Sequence, residues 1–597
     1  MILKALYDFY NRYNAYNDDS PLPPVGFEER EIGYYVIIDK QGVFRSFERL
    51  LDENDRGVQK WVLQYVERTS NAASMPNRLW DGIKYVLNID DGRVQEEDMA
   101  HCKSFASKVE EISACFPDNE QFNAVSLFYK KKQYLSKKIV EDRYFEEIAK
   151  TTKNLTFCLL GQDECVASHP DLLVYMELLF ANWDTKNRCL VTGVTGPVVK
   201  TASIIQIPGG DSKGKLVSFN DVSFNSHGFN QMENAPISVE ADSKIYNACK
   251  HLLKYGADTN LTINSRTYVF WTSVINETFD NLISKVHEIG TPQGISNEDW
   301  AWGDLTDNPE QETDRAKSSF LSIFSGKQMV NADVSFCMLG LTHNSSRDVV
   351  ISWKEQPLHL LCNNILDHFR DMQIFCAFED KPIGIGVYDI IDAIALEKKD
   401  GKKDFPDNEV DKILMSILDG SSYPYSMYLS CLRRSRLDQM PSDGLALHKW
   451  RRREAVRAAV VRGFLRRNKS QIKLNIMLNP TEPNSGYLCG RLFAVLERVQ
   501  ELSNKDNGYK STLRSRYFAM ASTSPADVFV NLINLSIHHH EKIDNDGWLL
   551  NLEGEIIDML PPSGFPAHLS VADQGAFVVG YYHQRQAFIV KKDTNND

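Results

Sequence analysis

The sequence predicts an α+β protein, with a mixed α/β N-terminal portion followed by a C-terminal helical bundle. Three observations carry this reading. Short runs rich in β-branched and aromatic residues recur up to about residue 356. Beyond residue 357 they fade, and patterns with apolar residues three and four apart take over. The chain has 597 residues, of which 43% are hydrophobic and 25% charged. That composition supplies cores for several folded units and excludes wholesale disorder.

In chain order, Ile2, Leu3, Leu6, Phe9 and Tyr10 recur at helical spacing, so residues 1–16 form a helix that SPLPP at 20–24 breaks. YYVIID (34–39) and GVFRSFERL (42–50) form a hairpin that turns near Lys40 to Gly42. A polar loop containing RTSNAAS leads to LWDGIKYVL (79–87), and residues 100–150 are mostly helical. Strand signals follow at 155–161, 189–193, 203–207, 266–273, 333–341 and 349–353. EKKDGKKDFPDNE (397–409) is a solvated linker. Helical patterns then occupy 410–437, 445–468, 488–502, 525–542 and 547–559. The expected boundaries are 1–356 for the α/β portion, 357–476 for a helical region and 477–597 for a C-terminal helical module.

Eleven cysteines stand singly, with no CxxC pair, as small core residues do in a reducing compartment. No apolar stretch reaches 18 residues and mean hydropathy is −0.35, so no spanning helix and no membrane partner are expected. MILKALYDFY has neither a basic lead nor a small-residue cleavage site, so a cytoplasmic location is expected.

Three segments invite a chemical reading. PGGDSKGKL (208–216) approaches GxxxxGK, but Leu216 stands where a phosphate-binding loop needs Ser or Thr for magnesium, and a strand pattern continues where a helix should begin. Lys213 and Lys215 fit contact with a nucleic-acid backbone better. His538, His539 and His540 are consecutive on a helical pattern, about 100° apart, so one metal cannot readily take all three. Acidic residues between 298 and 314 lie in a Gly- and Pro-containing loop rather than on elements that fix carboxylate spacing. No catalytic residue, metal site or cofactor is expected.

Net charge is −13, yet between Cys431 and Lys469 twelve basic residues face only Asp438, Asp443 and Glu454. Within this stripe Arg451, Arg452, Arg453, Arg457, Arg462, Arg466 and Arg467 lie on one helical pattern whose Trp450, Val456, Val460 and Phe464 face a core. A solvated face normally alternates charge sign, so the stripe is expected to attract phosphates or a displaced single strand. Lys130, Lys131 and Lys132 form a second basic run. Arg68, Thr69, Ser70 and Asn71, with Asn77 beyond them, are short polar or forked side chains of the kind that read base edges. Two other readings compete: a metal-dependent nuclease or NTPase using the acidic loop or the near-phosphate loop, and a helical scaffold with no nucleic-acid role.

Taken in order, MILKALYDFYNR with LPPVGFEEREI, ERTSNAAS before LWDGIKYVL, CLVTG before KLVSFN, NAPIS, YVFWTS, MLGLTHNSSR, GRLFAVLERVQE, RSRYFAMASTSPADVF and PAHLSVADQGAFVVGYYHQRQA make a pattern that spans nearly the whole chain. In these segments the chain resembles the large subunit of type I-C CRISPR Cascade (the Cas-eight, Csd-one type). The resemblance implies a non-catalytic subunit of a CRISPR-RNA-guided complex. Such a subunit sits beside the RNA-handle-binding subunit, with backbone and small subunits as further partners. It reads a short protospacer-adjacent motif on target double-stranded DNA, promotes opening, holds the displaced single strand and helps recruit a helicase–nuclease. Guide pairing reads the long sequence, so the protein need only nucleate melting at a short motif. Motif reading then falls to Arg68, Thr69, Ser70, Asn71 and Asn77, and displaced-strand or backbone contact to the lysines and arginines above. The resemblance also implies a small subunit started internally, for which Met477 is the candidate; the alternative is a core methionine in a linker.

Overall fold

The computed structural model describes residues 2–64, 75–181, 186–208, 213–219, 221–274, 334–344, 347–378, 381–382, 385–397, 403–441, 444–504 and 513–593. The chain forms two compact units, residues 1–255 with 339–353, and residues 256–338 with 354–597. The α+β class holds: strands concentrate in the N-terminal half and helices dominate the C-terminal half.

In the first unit, helix α1 (Ile2–Tyr16) precedes strands β1 (Phe27–Ile38), β2 (Phe44–Arg49), β3 (Val58–Leu63) and β4 (Trp80–Asp81). Helices α2 (Ala100–Cys115) and α3 (Glu120–Lys130), strand β5 (Asn154–Leu159), and helices α4 (Asp171–Ala181) and α5 (Val239–Leu252) follow. The sheet order is β2-β1-β5-β4, with β3 also on β1. The expected hairpin is present, with Tyr34 opposite Arg49 and Ile37 opposite Ser46, while β5 runs parallel to β1, with Tyr35 opposite Thr156. Residues Ile32 to Ile38 are all buried, because both faces of the sheet are covered, which turns alternation into a continuous apolar run.

The hairpin turn is built on Asp39, whose Oδ1 accepts N–H bonds from Gln41 and Val43 while Oδ2 takes Arg45 Nη2 at 2.6 Å. Gly42 has φ +70°, and a Cβ there would lie 2.6 Å from the carbonyl oxygen of Ala124, so only glycine lets the turn rest on α3. CLVTG at 189–193 is not a strand. Gly193, at φ +76°, closes a turn between short strands Lys186–Arg188 and Thr195–Pro197.

The second unit begins with β6 (Asn260–Ile263) and β7 (Arg266–Thr272); strands β8 (Ser335–Asn344) and β9 (Arg347–Pro357) lie largely within residues 339–353 of the first unit. The helices of the second unit are α6 (Leu358–Asp371), α7 (Val387–Ile394), α8 (Asp407–Asp419), α9 (Tyr425–Leu437), α10 (Gly444–Arg467), α11 (Ser485–Ser503), α12 (Leu513–Ala521), α13 (Phe529–His540), α14 (Gly547–Asp558) and α15 (Val571–Asp593). The pattern read as one helix over 410–437 is two, parted at Gly420 with φ +65°. α15 was not expected as a helix at all, although it forms the most extensive helix pair of the unit, with α11.

That pair is set by glycine. A Cβ on Gly490 would stand 2.1 Å from the carbonyl oxygen of Phe577, one on Gly486 2.2 Å from that of Asp573, and one on Gly580 2.3 Å from that of Tyr487. Backbone meets backbone at three places along the crossing, where no rotamer change can relieve a clash. Gly490→Val should therefore destabilise the second unit by about 3 kcal/mol or more, at the upper end of overpacking costs. A chemical-denaturation midpoint unchanged from wild type would refute this. The core beneath the pair, from Leu488 to Tyr581, is drawn entirely from residues beyond 487.

Candidate nucleic-acid interface

Three basic or polar regions bear on the expected interface. The loop with Arg68, Thr69, Ser70 and Asn71 lies outside the described residues, but its C-terminal flank is fixed. Asn77 is buried, and its N–H donates to Asp81 Oδ2 at 2.9 Å. Asp81, itself buried, also accepts from Gly82 N–H through Oδ1 at 2.7 Å. Trp80 Nε1 donates to the carbonyl of Leu63 at 3.1 Å and Thr156 Oγ1 to that of Leu79 at 2.7 Å. Burial takes Asn77 off the surface, so it supports the segment rather than presenting a reading edge, which corrects the expectation for this residue. Arg78 next to it, not singled out from sequence, sets its guanidinium 5.9 Å from the ring of Tyr175.

The lysine run follows α3. Lys130 pairs with Glu110 at 3.1 Å, Lys132 with Asp98 at 2.9 Å, and Lys131 donates to the carbonyl of Gln41 at 2.8 Å. All three ammonium groups stay exposed, and such rim pairs are worth little to stability, so they remain exchangeable for phosphate. Lys137 and Lys138 extend the run, exposed and without an ion-pair partner among the described residues. Lys213 falls in a two-residue strand, Lys213–Gly214, antiparallel to Ile205–Gln206, and Lys215 follows half-buried. A hairpin stands where a phosphate-binding loop would need strand, loop and helix. The acidic stretch at 298–314 lies outside the described residues.

The basic helix departs most from expectation. α10 is wrapped by α6, α7, α9 and α15, so little of it faces solvent. Arg457 is 1% exposed: Nε donates to the carbonyl of Ala393 at 2.7 Å, Nη1 to Glu454 at 2.8 Å, and Nη2 pairs with Asp438. Arg462 is 4% exposed and clasps four carbonyls, those of Asp371, Gln373, Leu474 and Asn475, each at 3.0 Å. Burial lowers its pKa to about 10. Arg452 pairs with Asp389 and Arg453 with Asp392, both at 3.0 Å. Arg467 is covered, bonded to Asp371 at 2.6 Å and to the carbonyl of Ser416, with its guanidinium 4.1 Å from the centre of Tyr423. Arg457, Arg462 and Arg467 are thus interior groups, not strand contacts, and Arg452 and Arg453 are largely spent on aspartates. The physical reason is that the opposing charges come from other helices. Arg451, stacked 4.3 Å from Phe378, and Arg466, half exposed beside Asp371, remain at the surface.

The histidine triplet serves packing. His540 is held between Asp546 at 2.7 Å and Glu553 at 3.0 Å, His539 meets Ser503 Oγ at 2.8 Å, and His538 is exposed. Among the described residues no group of three His, Cys, Asp or Glu could hold a metal ion, and no helix is long and apolar enough to cross a membrane. All cysteines are free thiols, and every one but Cys115 is buried.

No curated protein matches the chain. A family model described as CRISPR-associated protein (Cas_Csd1) matches residues 6–589, through both compact units. The chain therefore belongs to the CRISPR-associated Csd1 family, the family of Cascade-type large subunits that its motifs resemble.

Proposed function

We propose that the chain is the large subunit of a type I-C, CRISPR-RNA-guided surveillance complex, acting without catalysis in the cytoplasm. In this reading it recognises the protospacer-adjacent motif on duplex DNA, favours opening, steadies the displaced strand and helps recruit the helicase–nuclease. The observation that carries it is the family match over residues 6–589. The exposed cations of the first unit support it, since Lys130, Lys131, Lys132, Lys137 and Lys138 offer phosphate contacts on an otherwise acidic chain. Arg68, Thr69, Ser70 and Asn71 are the proposed motif readers. In the second unit, Arg451 and Arg466 are the arginines of α10 left at the surface to meet a displaced strand.

The internal start at Met477 is a companion proposal. It draws support from the exposure of Met477 and from a core assembled wholly beyond residue 487, so that a 477–597 product keeps its apolar interior. The experiment is duplex binding by the reconstituted RNA-guided complex with and without this chain, on targets with and without the adjacent motif. The chain should raise affinity only where the motif is present. Affinity indifferent to both chain and motif would sink the reading.

A further inference from the structure

Apart from these regions, one cluster in the first unit brings cations together around a single buried carboxylate. Glu28 on β1 is 2% exposed and is the shared acceptor. Tyr246 Oη donates to its Oε2 at 2.5 Å, Arg30 Nε approaches at 2.9 Å, and Lys250 Nζ stands 3.5 Å away while donating to the backbone carbonyl of Glu29. Lys60 lies directly opposite Arg30 in the antiparallel pairing of β1 and β3, which puts the two side chains on one face of the sheet. Three cations therefore gather beside two carboxylates, Glu28 and Glu29. Burial first, and the Arg30 charge beside it, pull the Lys250 ammonium below its usual range even though Glu28 and Glu29 act the other way.

The Arg30 guanidinium is paired on its Nε side with Glu28 at 2.9 Å. It lies 5.8 Å from the ring of Trp80, and its side chain is 42% exposed. A half-exposed planar fork, braced by an aromatic ring with lysines on the neighbouring strand and helix, matches a phosphate oxygen. Trp80 also ties this face to the far side of the 65–74 segment through its bond to the carbonyl of Leu63.

We propose that Arg30, Lys60 and Lys250 form an anion site for a backbone phosphate of duplex DNA. The site fixes the position of the duplex, not its sequence. It rests on the nucleic-acid reading above and adds to it residues that no motif marked.

The test is the salt dependence of duplex binding by the reconstituted complex carrying Arg30→Gln or Lys60→Gln. Each lost phosphate contact should flatten the slope of log affinity against log salt by about 0.9, equally on targets with and without the motif. Lys60 has no bonded partner among the described residues, so Lys60→Gln should fold as wild type and decides the matter if Arg30→Gln does not fold. Unchanged slopes in variants with wild-type melting temperature would overturn the site while leaving chain-dependent, motif-dependent binding in place. Binding that does not depend on the chain would instead remove the function on which the site rests. A parallel titration of the isolated chain with single-stranded RNA separates the occupants: loss confined to RNA would overturn duplex DNA in favour of the guide strand.

Discussion

Glu454→Ala should destabilise the full chain by about 3–5 kcal/mol, the cost of leaving a buried ion pair half removed. Glu454 is 8% exposed and binds two buried arginines at once, Arg457 Nη1 at 2.8 Å and Arg514 Nη2 at 2.6 Å. Arg457 keeps Asp438 when the carboxylate goes, but Arg514 loses its direct carboxylate partner and keeps the carbonyl of Ser435, Tyr581, the rings of Trp450 and Phe518, and the more distant charge of Glu497. Burial would be expected to make the Arg514 guanidinium easier to deprotonate. The Glu454 charge and its neighbours instead hold its pKa above the ordinary value, which measures how far the site depends on that carboxylate. Denaturant unfolding of the full chain reads the change, and a loss under about 1 kcal/mol would refute it. Arg451→Ala is the contrast: its guanidinium is exposed and only stacked on Phe378, so it should shift stability by no more than about 1 kcal/mol.

This asymmetry shows what a linear sequence conceals. Within α10 the arginines outnumber acids so heavily that a polyanion seemed the natural counterpart. The acids that answer them, Asp371, Asp389, Asp392 and Asp438, stand 19 to 96 residues away and arrive only when the helices pack. Charge alternation along a helix tests for a solvated face only if that face is solvated, and here four helices cover it. α15 was hidden for a related reason. Gly575, Gly580 and paired valines and tyrosines argue against a helix when read locally. They are required there because Gly580 must meet the backbone of Tyr487, and a Cβ on Gly575 would meet Tyr428 Oη at 2.2 Å.

What was legible was local. The helix ending at Tyr16, the hairpin around Asp39, strand 154–159 and most of the C-terminal helices follow from periodicity and turn chemistry within each segment. The burial of Asn77 was not legible, because it depends on Asp81 and a sheet partner that composition does not announce. The Arg30 cluster escaped altogether, because Glu28, Lys60 and Lys250 come from three separate elements, and only the pairing of β1 with β3 and the docking of α5 bring them together.

Acidification should destabilise the second unit, because two neutral histidines are locked inside it. His368 has no exposed surface. Its Nε2 meets the carbonyl of Ile385 at 3.0 Å, which needs a proton there, and its Nδ1 meets Tyr423 Oη at 2.8 Å, a hydroxyl able to donate to a bare nitrogen. His583 is 2% exposed and meets Tyr487 Oη at 3.0 Å. Burial, with nearby arginine charge adding to it, depresses both to about 3, from an ordinary value near 6.5. A base whose folded pKa is depressed binds its proton in the unfolded state first. Its stabilising contribution is therefore complete above pH 6.5 and shrinks as pH falls toward 3. Each histidine removes about 1.4 kcal/mol per pH unit in that window. By pH 4.5 the two together have removed about 5 kcal/mol, comparable with the whole stability of a typical domain. Asp389 acts in the opposite sense, since burial raises it to about 6 and the folded state then takes up the proton, so the histidine contribution is read as a difference between proteins. Denaturant midpoints between pH 7 and pH 4.5 for wild type and His368→Gln supply it. The variant starts less stable, having lost a packed ring, but its stability should fall more gently by about 1.4 kcal/mol per pH unit. Parallel curves for the two proteins would show that His368 is charged in the fold, and that burial between Tyr423 and Ile385 does not hold it neutral.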